Sequence, residues 1–248
     1  MSDQSSLVSD DVIVVPKKTL ADNVGHFQYS STVMEIHTKQ AASLWEGVTK
    51  QQKIAAGRKV SNAYPTYGLK FFAWKLTEIV KGSAADDPYA DQLLIQLEVK
   101  IAETLTLLQS QKSEAEALLH QGSTRLRRTP LTSSAPSFIE IGFRVPYAHD
   151  GAEVLCLYDE IVCLLQACKN TNKISKKHFD QLQYKARNLV ESLYHFGKHY
   201  PGPTVTRADI LMNNERAKLA LQQYGDLNPD IVTRKISPLN GPSLEKSH

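Results

Sequence analysis

Between residues 49 and 81 the chain holds Lys50, Lys53, Arg58, Lys59, Lys70, Lys75 and Lys81 against a single acid, Glu78, a net +6 in 33 residues. A solvated surface usually mixes charges of both signs. A run of cations without acids suits a polyanion, above all the phosphate backbone of a nucleic acid. Tyr64, Tyr67, Phe71, Phe72 and Trp74 are interleaved with this charge. Their helical spacing fits a core better than a platform for stacked bases. A second basic cluster, Arg125, Arg127 and Arg128, sits in a stretch rich in Ser, Thr and Pro at 121–136. Such arginines could reach phosphates or remain solvated loop charges, and both readings stay open.

The other reactive residue types do not assemble into a catalytic pattern. His195 and His199 have the four-residue spacing of a zinc pair on a helix, but no third ligand is evident and no acid lies between them. The predicted content is therefore no metal and no cofactor. Phosphate-loop, dinucleotide, nucleophile-elbow and C-x-x-C motifs are missing, so an enzyme is not expected. Cys156, Cys163 and Cys168 fall in one apolar helical stretch and read as reduced core thiols of a cytoplasmic protein. Neither a membrane-spanning run nor a secretory signal is visible, which also points to the cytoplasm. At 248 residues, 42% hydrophobic, with net charge +3, the chain has material for one sizeable core.

Periodicity supplies the elements that must position these residues. Thr32, Met34 and Ile36 alternate with Val33, Glu35 and His37, a strand with one buried face. Thr38 is a natural N-cap for a helix over 39–48, and a second helix is predicted over 67–80. Asp87 and Pro88 start a long acidic helix that reaches about His120 and weakens beyond Leu108. Residues 138–145 alternate as a second strand, ended by Pro146. A central apolar helix is expected over 150–169, others over 176–200 and 206–224, and a short edge strand at 231–236. The division read from this is a partly mobile segment at 1–31 with an apolar stretch at Val12–Val15, a unit at 32–82, a helical body at 83–225 and a tail at 226–248, together one globular domain. The fold class is mainly α with a small β component.

A strand with one apolar face must pair, either with 138–145 or with its copy in a second chain. In the second case it makes a two-stranded ribbon, which fits the DNA major groove. The strand at 138–145 is a rival for the ribbon role, with Glu140, Gly142 and Arg144 outward.

Four segments occur in a fixed order: Ala42-Ser43-Leu44-Trp45-Glu46-Gly47, Asp86-Asp87-Pro88-Tyr89-Ala90-Asp91, Tyr158-Asp159-Glu160 and Val205-Thr206-Arg207-Ala208-Asp209. As an ordered set over about residues 30–232 they resemble the AcaB-like family encoded on integrating conjugative elements and large conjugative plasmids. The resemblance implies a ribbon-helix-helix DNA-binding unit within a larger helical protein, acting as a homodimer on promoter DNA to activate transfer genes. It favours 32–38 as the ribbon, with Val33, Glu35 and His37 toward base edges. Thr38, Lys39, Lys53, Arg58 and Lys59 would lie against the DNA, and Arg125, Arg127 and Arg128 would be further backbone contacts. Activation implies a surface for RNA polymerase or another regulator, for which the acidic helix is the expectation. The alternative is a non-enzymatic accessory or scaffold protein of the transfer apparatus. A long segment, 49–66, between the two helices and an acid among the outward strand residues depart from a minimal ribbon-helix-helix.

Overall fold

The computed structural model describes residues 32–57, 59, 61, 64–122, 125 and 128–242. The segment expected to be mobile at 1–31, with Val12–Val15, lies outside the described residues, as do Arg58 and Arg127.

The order of elements is β1 (Thr32–Ile36), α1 (Lys39–Glu46), α2 (Lys50–Ala55), α3 (Leu69–Ala84), α4 (Pro88–His120), β2 (Ser137–Ile141), α5 (Pro146–Asn170), α6 (Lys176–Tyr194), α7 (Arg207–Met212), α8 (Glu215–Tyr224) and α9 (Pro229–Val232). The fold is thus mainly helical with one two-stranded antiparallel sheet. At the centre, α5 packs against α1, α3, α4, α6 and β1. Its buried residues, among them Val154, Leu155, Tyr158, Ile161 and Leu165, occupy several faces, as the apolar composition predicts. It begins earlier than expected because Pro146 stands at its first turn, where a missing N–H costs nothing.

Helix α4 runs about 50 Å at 1.5 Å per residue. The expected fraying beyond Leu108 is corrected: Gln111, Ala115 and Leu119 continue the buried stripe to the end. A small and a polar residue carry it there, so hydropathy alone does not reveal it. Helix α6 stops at Tyr194, not 200. The helix expected over 206–224 is two helices, α7 and α8, divided at Asn213, which adopts the left-handed conformation. The strand expected at 231–236 is instead α9 and a turn. Asn228 accepts from the Asp230 N–H and Pro229 is the first helical residue, a complete helix start.

The two strands pair with each other. Thr32, Met34 and Ile36 face Ile141, Ile139 and Ser137, while Val33 pairs with Glu140 and Glu35 with Phe138. Met34, Ile36 and Ile141 are buried in the main core. The chain therefore gives β1 a partner of its own, and burial of its apolar face needs no second copy.

The 49–66 segment leaves and re-enters the fold at one point. Val48 and Thr66 exchange backbone hydrogen bonds, each 2.8 Å. Gly47 (φ +81°) and Gly68 lie backbone to backbone; a Cβ on Gly68 would stand 2.6 Å from the Trp45 carbonyl oxygen and 2.7 Å from the Glu46 carbonyl carbon. In effect α1 and α3 adjoin through a short turn from which an excursion has been looped out. Gly68→Ala should cost ~1–3 kcal/mol, because those neighbours are backbone and cannot yield. Chemical denaturation checks it; an unchanged midpoint would mean that the pinch is loose.

Candidate nucleic-acid interface

The structure separates the cations of 49–81 into two groups. Those of α3 are engaged. Lys70 pairs with Glu46 at 2.7 Å and Lys81 with Glu78 at 3.0 Å. Lys75 is buried, donates to the Tyr200 carbonyl at 2.8 Å and lies over the Trp74 ring. The excursion differs. Its helix α2 buries no residue at all, and Lys50 and Lys59 are exposed. No acid occurs anywhere in 49–66. Thr49 and Gln52 form a capping box that holds α2 in shape. Lys53 is half-buried and donates to Thr66 at 2.6 Å, tying the helix to the base of the excursion. A helix that contributes nothing to the core, bears cations and stands on a pinched base has the form of a presented surface.

The ribbon adjoins the opposite end of α1 in the chain, where β1 leads into the helix. Its outer face carries Val33, Glu35, Phe138 and Glu140, two apolar side chains and two carboxylates. Val33 and Phe138 are 56% and 66% exposed, high values for apolar residues held on a sheet. Lys39, exposed, opens α1 with no acid in the first turn. A cation there opposes the helix dipole unless an anion joins it.

Two residues expected to face DNA have structural partners. Asp159, buried in α5, accepts from the His37 N–H at 2.7 Å, the Thr38 N–H at 2.9 Å and the Thr38 hydroxyl at 2.5 Å. Thr38 also caps α1 through the Ala41 N–H. The His37 ring accepts from the Ser133 N–H on Nδ1 and approaches Glu35 with Nε2 at 3.4 Å. These side chains fasten the strand-to-helix junction to the core. Of the loop arginines, Arg125 is exposed and has a partner, and Arg128 donates to the Gln121 carbonyl.

The histidine pair is not on one helical face, since His195 is the C-cap of α6 and His199 lies in the turn beyond. Among the described residues no group of His, Cys, Asp and Glu could hold a metal, and no helix is long and apolar enough to cross a membrane. The cysteines are free, two of them buried, and burial pushes the Cys156 and Cys163 thiols up to about 11.

Fold and surface together define a mainly helical α+β protein that offers an acid-free cationic excursion and a small two-stranded ribbon with an exposed outer face. A family model described as transcriptional regulator AcaB matches residues 23–245, and the chain belongs to that family, a family of transcriptional regulators and not of enzymes. A crystal structure of AcaB from uropathogenic E. coli has a similar fold, with a TM-score of 0.52 at 10% identity, over 83% of this chain and 95% of that one. No curated protein matches.

Proposed function

We propose that the chain is a sequence-specific DNA-binding regulator of conjugative-transfer genes that acts as a homodimer on promoter DNA. The observation that carries this is the excursion, a helix with no buried residue on an acid-free loop within a member of a transcriptional-regulator family. Lys50, Lys53, Arg58 and Lys59 hold phosphates, and Lys39 adds one at the start of α1, where the anion also relieves the helix dipole. The ribbon of β1 and β2 reads bases. Glu35 and Glu140 accept from cytosine amino groups, and Val33 and Phe138 meet thymine methyls. Two carboxylates toward DNA cost affinity, so the excursion supplies affinity and the ribbon supplies choice. Activation uses a separate surface for RNA polymerase or another regulator, with the acidic α4 as the first candidate.

The test is fluorescence anisotropy with a duplex from the promoter region of transfer regulatory genes against a scrambled duplex. The expected result is a preference of at least ~10³ for the promoter, the lower end for specific binders. Equal, weak binding to both would reject sequence-specific regulation. The two ribbon carboxylates favour one second reading, an accessory protein of the transfer apparatus whose ribbon meets a basic protein partner.

A further inference from the structure

The aromatic residues interleaved with charge in 49–81 do not all enter the core. Phe72 is buried, but Trp74 is 55% exposed and Tyr64 74%. A ladder of rings runs between them. Tyr67, directly after the pinch at Thr66, stacks on Phe71 with centroids 4.2 Å apart and planes 20° from parallel. Phe71 meets Trp74 at 5.6 Å. Tyr67 and Phe71 are half-buried, so part of each ring also reaches solvent. Tyr64 stands three residues before Tyr67, at most ~10 Å of extended chain. Helical period explains the split: Leu69, Phe72 and Leu76 take the inward face of α3, and Trp74 falls outward, one turn after exposed Lys70. Contiguous exposed apolar surface of this kind marks an interaction site.

Beyond Trp74 the surface opens into a groove of about 510 Å³, ample for one nucleobase. It is lined by Trp74 of α3, by Phe143 and the exposed Arg144 in the chain after β2, and by the largely buried Trp45. One acid lines it, Glu140 on the outer face of the ribbon.

Outward rings beside cations are the means by which proteins take a strand with unpaired bases: each base offers a ring face to stack, and the backbone offers phosphates. Intact duplex DNA can use the cations but not the rings, because its base faces are closed within the stack. A protein partner could use the rings, but it gives no reason for the acid-free 49–66 that leads into the ladder, with Lys50, Lys53, Arg58 and Lys59. The acids of α1 and α3 do not oppose a polyanion here, since Glu46 is paired with Lys70 and Glu78 with Lys81.

We infer that this face binds single-stranded DNA. Bases stack on Tyr64 and Trp74, and phosphates are held by Lys50 and Lys59 at one end and Arg144 at the other. Glu140 repels phosphate, so a base and not the backbone enters the groove. Unpaired strands arise where a promoter is opened, and the site acts there after the duplex has been recognised. That role rests on the DNA-binding reading, whereas binding of a free strand does not.

Fluorescence anisotropy of the full chain with a labelled oligo-dT of about 20 nucleotides, enough to span one such site, tests the inference. Saturable binding is expected. Trp74→Ala should weaken it about tenfold, the worth of one stacked base, and Trp74→Phe should restore most of the loss. Promoter-duplex affinity should be the same in wild type and Trp74→Ala, so that failure of duplex recognition is read separately. The chain has two tryptophans, and Trp45 is 8% exposed, so the oligonucleotide should quench emission in the wild type and not in Trp74→Phe. Absence of quenching, with oligonucleotide affinity unchanged in Trp74→Ala, would overturn the inference and leave the rings to a protein partner. Equal losses for oligonucleotide and duplex would overturn it too, because a stacked base would not be their cause. Tighter binding of oligo-rU than of oligo-dT would overturn the assignment to DNA.

Discussion

Arg207→Ala should lower stability by ~3–5 kcal/mol, the cost of leaving buried charge without its partner. For a domain of this size that corresponds to a fall in Tm of about 10 °C. Arg207 is 6% exposed and Asp91 4%. The guanidinium meets Asp86 at 2.6 Å and Asp91 at 2.5 Å, and it also donates to the Ile231 carbonyl from Nε and Nη2. The Ser83 hydroxyl donates to the other Asp91 oxygen, and Arg234 reaches Asp86 at 2.7 Å. One side chain therefore gathers the α3–α4 corner, the start of α7 and the end of α9. Removing it strands the Asp91 carboxylate and frees the C-terminal helices together. Arg207→Lys should recover only part of the loss, since an ammonium cannot serve both carboxylates and the carbonyl in one plane. In a cycle with Asp91→Ala the double variant should lose clearly less than the two singles added. Thermal denaturation checks all of these; additive losses would show that the pair is not the cause.

Asp159→Ala should have the next largest effect, ~2–4 kcal/mol. Its carboxylate accepts two backbone N–H groups and a hydroxyl from residues 37 and 38, and its removal leaves all three donors without this partner. The damage should be local first. Amide exchange at His37 and Thr38 should accelerate while α4 and α5 stay protected. Promoter affinity should fall too, although no cation is removed, because the junction sets the angle between the ribbon and α1. Unchanged exchange at these two amides would refute the role given to Asp159.

Local signals are legible where one residue type has one physical meaning. Asp87 and Pro88 announce α4, Thr38 caps α1, and alternation marks both strands. The pairing of β1 with β2 crosses about a hundred residues; only the need to bury Met34 and Ile36 suggests it. The excursion is visible as an over-long linker but not as a pinched loop, since that depends on the close approach of Gly47 and Gly68. Sequence places His37 and Thr38 toward DNA because it shows a side chain's parity, not its competitors. Asp159, distant in the chain, takes the Thr38 hydroxyl and the backbone N–H groups of both residues, while the His37 ring meets Ser133 and Glu35. The four segments that carry the family resemblance turn out to be joints. Asp86 and Asp91 meet Arg207, Asp159 meets residues 37 and 38, and Ser43 accepts from Arg187 at 3.2 Å. They build the scaffold, while the proposed DNA surface lies in the less distinctive 49–66.

The central claim is that the excursion holds phosphates, and the salt dependence of promoter binding tests it most directly. Log affinity would be measured against log salt for the wild type and for Lys50→Gln with Lys59→Gln. Because α2 buries nothing, Tm should not move. The account predicts that the slope of the variant becomes shallower by about 0.9 for each phosphate it no longer holds, with the preference for promoter over scrambled duplex retained. Identical slopes and affinities in the two proteins would contradict it and move the DNA surface elsewhere on the molecule.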